Sequence, residues 1–118
     1  MEMTVVMLGE GIKKIDLTGR MDIEGTQKIE LRLAMEFAVE KAFVILDLSR
    51  VDFMASIGIG AIVSAVKSMK LRNSKMVLLN PQPFVAAVLE RTLIHTVVPI
   101  VQNFEDAKKA LFDLSALQ

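Results

Sequence analysis

The sequence predicts an α/β domain: a mostly parallel sheet of about five strands, opened by an N-terminal hairpin, with about four helices. Three observations carry this reading. Two short apolar runs flank "GEG" at residues 9–11, the pattern of two strands joined by a tight turn. "AFVILDLS" is a continuous apolar run, which suits a central strand covered on both faces. From Ile12 onward, strand-like and helix-like segments alternate, the order produced by parallel strands with helical crossovers.

Taken in order, "MTVVMLG" and "IKKIDLTG" are the two arms of the hairpin. "RMDIEGTQ" reads as a loop, with Thr26 the N-cap of a helix from Gln27 to about Glu40. Along that helix Leu31, Ala34, Met35 and Ala38 follow the i, i+3, i+4, i+7 spacing of a buried face. Ile29, Leu33 and Phe37 form a competing stripe. The central strand "AFVILDLS" is ended by Asp47 and Ser49, and a helix from about Ile57 to Leu71 follows, with Ser56 as N-cap. "MVLLN" is a further buried strand. Pro81 and Pro83 then punctuate the chain before a helix carrying Val85, Val88, Leu89 and Thr92. "VVPIVQ" is the last strand, and Pro99 marks it as an edge. "NFEDAKKALFDL" is a helix with Asn103 as N-cap, acids in its first turn, and Phe104, Ala107, Leu111 and Leu114 on its buried side. No repeat, low-complexity segment or linker divides the 118 residues, a length that suggests one domain over 1–118.

Composition narrows the function. With 14 basic and 14 acidic residues the formal charge is zero, which argues against nucleic acid as a partner. The absence of cysteine removes disulfides, thiol catalysis and cysteine zinc sites. "MEMTVVMLGE" lacks a basic n-region and a cleavage site, and uncharged runs fall short of the roughly 20 residues that span a bilayer. The expectation is a cytoplasmic protein with no direct membrane insertion. A hydrophobic content of 53% implies either a large core or some apolar surface kept for a partner.

The chemistry-bearing stretch is "DFMASIGIGAIVSAVKSMK", Asp52 to Lys70. At 100° per residue Ile59, Ile62, Val63 and Val66 share one face of the helix and are expected to be buried. Ile57, Ala61, Ser64 and Ser68 lie opposite, beside Gly60 and Lys67. This outer face is small and nearly uncharged, which fits close approach of another backbone. Ser56 is open to two readings: a plain capping serine, or a chemical handle at the strand–helix junction. Catalysis fits poorly. The nucleophile-elbow pattern lacks its first glycine, because Met54 stands there. The dinucleotide fingerprint lacks its third glycine, with Val63 in its place, and its acid, with Asn80 in its place. His95 is the single histidine and reads as a polar residue in a turn after a helix. No metal cluster and no cofactor site stand out, so a binding module is expected, not an enzyme.

At these residues the sequence resembles the STAS domain family, and within it the bacterial anti-sigma-factor antagonists. "LTGRMD" (Leu17 to Asp22), "VILDLSRVDFM" (Val44 to Met54), "SIGIG" (Ser56 to Gly60) and "FEDAKKAL" in the last helix carry the likeness. The resemblance implies a partner-switching regulator. In that family the helix-opening serine is phosphorylated by a partner that is both anti-sigma factor and serine kinase of the ATPase fold. The unphosphorylated form binds this partner and frees the sigma factor, and a serine phosphatase resets the cycle. By motif position the phosphoacceptor is Ser56, and Asp22, Phe53, Met54, Ile57, Gly58 and Ile59 sit near the contact surface. With Ala55 beside the acceptor, and Ala61 and Ser64 from the outer face, these make up the expected partner interface.

There is one departure. Where the family usually reads D-S-[ST]-G-[LIM]-G, this chain has Ala55 for the aspartate and Ile57 for a small polar residue. Both weigh against efficient phosphorylation, and both favour a more hydrophobic, more persistent complex. Two other readings stand beside the switch: a STAS subunit docking on a membrane transporter's ATPase without phosphorylation, and a small enzyme using Ser56.

Overall fold

Alternation along the strands sorts side chains onto the two faces of the sheet. The computed structural model describes residues 1–38 and 42–112. Its elements are β1 (Glu2–Gly9), β2 (Ile12–Met21), α1 (Ile23–Phe37), β3 (Phe43–Met54), α2 (Ser56–Leu71), β4 (Lys75–Leu79), α3 (Pro83–Arg91), a single 3-10 turn (Ile94–Thr96), β5 (Ile100–Val101) and α4 (Phe104–Phe112). The sheet runs β1-β2-β3-β4-β5. The β1–β2 hairpin is antiparallel and every later neighbour is parallel. This is the expected STAS-like α/β arrangement.

Ile15 and Leu17 of β2, Val44, Leu46 and Leu48 of β3, and Met76 and Leu78 of β4 point to one face. There they meet Ile29, Leu33 and Phe37 of α1, Ile62 and Val66 of α2, and Val85 and Leu89 of α3. The alternate residues Ile12, Ile45, Val77 and Leu79 pack against Ala107 and Leu111 of α4 on the other. β3 therefore lies central and covered on both sides, as its apolar run predicts.

Several boundaries differ from the sequence reading. β3 does not stop at Asp47 and Ser49 but continues to Met54. Asp47 stays within the sheet because its carboxylate meets Lys14 Nζ at 3.2 Å and accepts from Ser49 N at 2.8 Å. Two register shifts against β2 add residues on β3, so Leu48, Val51 and Met54, spaced by three, all turn inward. The first helix starts at Ile23, four residues before Gln27, and its N-cap is Asp22, not Thr26. Thr26 is fully buried, and its hydroxyl has no partner among the described residues. The competing stripe Ile29, Leu33, Phe37 is the buried one. Leu31 is 75% and Met35 66% exposed.

At the far edge β5 is only two residues long, and Pro99 precedes it instead of lying inside. Asn103 does cap α4: its Oδ1 accepts from Asp106 N at 2.8 Å. Ala107 and Leu111 are buried, but Phe104 is largely exposed, and Leu114 lies outside the described residues. His95 is exposed in the 3-10 turn. None of the helices among the described residues is long and apolar enough to cross a membrane.

Candidate functional site

Parallel strands deliver the starts of their following helices to one edge of the sheet. Met21 and Met54, the last residues of β2 and β3, are register partners, so α1 and α2 begin side by side. Ala55 N donates to Met21 O at 2.9 Å and ties the two junctions together. Asp22 has extended backbone (φ −85°, ψ −172°), and its Oδ1 accepts from Gly25 N at 2.8 Å. That bond, followed by the Arg20 guanidinium 3.4 Å away, holds the Asp22 carboxyl below the usual range. The two helix dipoles place partial positive charge at this edge. Asp22 answers one of them.

The other start is built differently from the expectation. Ser56 is the first helical residue, and Ala55 is the N-cap, in extended backbone (φ −97°, ψ 172°) with no side chain able to accept a hydrogen bond. The plain capping role is thus closed to Ser56. Its side chain is exposed, and no hydrogen bond joins its hydroxyl to another described residue. Ala55 O receives Gly58 N at 2.9 Å and Ile59 N at 3.2 Å, so the first turn closes on backbone alone.

The expected interface residues divide into two sets. Asp22, Phe53, Ala55, Ser56, Ile57 and Ile59 keep partial or full exposure, and so does Ser64 one turn on. Met54, Gly58 and Ala61 are buried and present little surface. Met54 is 3% exposed in the core. A Cβ on Gly58 would lie 3.0 Å from Met21 Cβ and 3.3 Å from Met21 O; this glycine lets α2 sit against the end of β2, not against a partner. Ala61 lines the seam between α1 and α2 with Ala65, Leu33 and Phe37, so it belongs to the helix–helix contact and not to the outer face. Ile59 and Val63, expected in the core, are only partly buried against it. Gly60 has open space where a side chain would stand, with nothing within 4 Å of an added Cβ.

The structure also adds residues that sequence reasoning missed. Ile23, in the first turn of α1, is 64% exposed, and Phe84, in the first turn of α3, is 55% exposed. Phe84 stacks on Phe53 at 6.0 Å between ring centroids, and the Arg20 guanidinium lies 4.3 Å over the Phe53 ring. The signal available in the sequence was the position of Phe84 directly after Pro83, the first residue of a helix. Of the apolar residues in that first turn, Val85 enters the core while Phe84 is left outside it. The edge therefore carries a hydroxyl, two helix starts and a rim of apolar and aromatic groups. Among the described residues no three acids or histidines group to hold a metal ion. Such a surface can bind a partner and accept a modification.

A family model described as the STAS domain matches residues 8–107. BtrV of Bordetella bronchiseptica, a proposed anti-sigma factor antagonist, is 26% identical over 94 residues, covering 80% of this chain and 81% of that one. Among solved structures, a STAS domain protein from Planctomyces limnophilus superposes with TM-score 0.81 at 21% identity, covering 92% of this chain and 97% of that one. The Bacillus cell fate determinant SpoIIAA in its phosphorylated form gives TM-score 0.66 at 21% identity, covering 92% and 97%. The STAS domain of a SulP transporter from Vibrio cholerae gives 0.69 at 20% identity, covering 95% and 89%. At these identities the structures establish the shared fold, and that fold serves both antagonists and transporter domains.

Proposed function

The chain belongs to the STAS domain family, and on that premise we propose that it is a phospho-regulated partner switch of the anti-sigma-factor antagonist type. Unmodified, it binds a kinase-like anti-sigma factor of the ATPase fold at the edge where α1, α2 and α3 begin. Phosphate on Ser56 releases that partner, and a serine phosphatase restores binding. The role is binding rather than catalysis, without nucleic acid and from the cytoplasm. One observation carries the reading: Ser56 is exposed at the first position of α2, beside an apolar rim of Ile23, Ile57, Phe53 and Phe84. Met54, Gly58 and Ala61 support this surface from beneath.

The energetics favour a switch. Phosphoserine brings about −1.5 to −2 charges at neutral pH. At a helix start the dipole and free N–H groups favour that charge by roughly 0.3–1 kcal/mol, so the fold tolerates it. Pressed against an apolar partner surface without a cation, the same dianion costs several kcal/mol. The second effect is larger, and affinity is expected to fall about 100-fold. The test begins with capture of partners from the native cell and mass spectrometry of Ser56. Phosphoserine is then installed at position 56, and melting temperature and partner affinity are compared with unmodified protein. Equal affinities refute the switch. Capture of a transporter ATPase with no phosphate on Ser56 supports the docking-subunit role instead.

A further inference from the structure

A second site lies at the opposite end of α2, independent of the proposed switch. Because β5 pairs only with Leu78 and Leu79, residues Lys75 to Val77 have no strand neighbour on that side among the described residues. A pocket of about 580 Å³ opens there, between the end of α2, the start of β4 and α4. This lies within the roughly 300–1,000 Å³ range of small-molecule sites. Its floor is apolar: the core residues Val66, Met69, Met76 and Leu111, each 5% exposed or less, with the more exposed Phe112 at the rim. Two of the five are methionines, whose unbranched chains adapt to an irregular guest.

The polar part of the wall comes from the turn between α2 and β4. Lys70 and Lys75 line the pocket, and none of the described residues that line it is acidic. Among the described residues neither lysine forms an ion pair. An apolar pocket with two lysines that have no ion pair among the described residues matches one ligand class. We propose that this pocket binds a free, single-chain carboxylate of fatty-acid type, its chain on Met69, Met76 and Phe112 and its head group at Lys70 and Lys75. The pocket's α2 residues, Val66 to Lys70, lie about 15–21 Å along the helix from Ser56 at a rise of about 1.5 Å per residue. Occupancy does not obstruct the switch edge.

The probe is full-length protein with methyl-labelled methionine, titrated by NMR with octanoate, decanoate and laurate below their micellar concentrations, and with decanol. Saturable shifts are expected at Met69 and Met76. Affinity should rise about fourfold per added CH₂, from about 0.8 kcal/mol each, until the pocket is full. The K70E/K75E double variant changes one exposed and one half-buried side chain; it should lose about tenfold in decanoate affinity and leave decanol unchanged. Absence of saturable shifts at Met69 and Met76 overturns the site. So do shifts centred on the exposed Met7 and Met35. Equal losses for decanoate and decanol overturn the carboxylate assignment.

Discussion

Replacing Ala55 by aspartate isolates the energetic role of the uncapped helix start. The molecule contains its own template. Asp22 precedes Gly25 by three residues and bonds its N–H at 2.8 Å; Ala55 precedes Gly58 by the same three, with backbone in the same extended region. An aspartate at 55 can therefore reach the N–H of Ile57 and share that of Gly58, which also donates to Ala55 O at 2.9 Å. Capping is worth about 1 kcal/mol, within a range of about 0.5–2. For a chain of this size that is a rise of about 3–6 °C in melting temperature. The pH dependence has a definite sign. A capping carboxylate has its folded pKa depressed, so its stabilisation is present above the unfolded value of about 3.9 and is lost as pH falls through the folded value. Calorimetric melting of both proteins at neutral pH and at about pH 2.5 reads both effects. An unchanged melting temperature at neutral pH, or a gain that persists undiminished in acid, refutes the capping geometry.

Glycine substitutions on α2 should split by position. Gly58→Ala meets Met21 at 3.0 Å and is expected to cost about 1–3 kcal/mol by urea denaturation. Gly60→Ala has free space and should gain up to about 1 kcal/mol from helix propensity, while weakening the partner if that partner's backbone approaches Gly60. Thr26→Val removes a buried hydroxyl without a described partner and is expected to raise stability by about 1 kcal/mol; a loss of stability contradicts an unsatisfied Thr26. Asp47 is buried enough to raise its pKa, but bonds from Ser49 and Lys14 outweigh burial and hold it low. Asp47→Asn should therefore destabilise at neutral pH. The difference from wild type should close as acid titrates the wild-type carboxylate through its depressed pKa; a pH-independent difference contradicts the Lys14–Asp47 pairing.

The element order was legible because its signals are local. "GEG" marks a turn, and a buried central strand shows as an unbroken apolar run. What stayed hidden depends on contacts between distant residues. An added Cβ on Gly25 would lie 2.0 Å from Arg20 O, so this glycine lets the first turn of α1 close tightly over the end of β2. From sequence alone the same glycine reads as a loop residue, which moved the helix start and its cap to Thr26. The two apolar stripes of α1 are equally periodic, and only docking on the sheet decides between them. The register shifts in β3 convert a spacing of three into inward positions, a pattern that no period-two reading of that strand detects. Ala55 was invisible as a cap because alanine carries no capping group. Ser56, a good capping residue, was assigned to the position beside its true one.

That one-residue shift changes the physics of the proposed acceptor. A serine used as N-cap has its hydroxyl turned toward its own helix, accepting from the second or third N–H. At the first helical position, with Ala55 ahead of it, Ser56 keeps its hydroxyl outward while the start of α2 lacks any side-chain acceptor. A phosphate on Ser56 would meet N–H groups that no carboxylate has claimed, in the positive field of the uncapped start of α2. An aspartate at 55 would compete for those same groups and set a like charge beside the phosphate. The phosphorylated state should therefore cost less stability in the native chain than in Ala55→Asp, even though the aspartate stabilises the unmodified fold. A double-mutant cycle on melting temperature, with and without phosphoserine at 56 and with alanine or aspartate at 55, measures that coupling. A coupling of zero or of favourable sign overturns the competition.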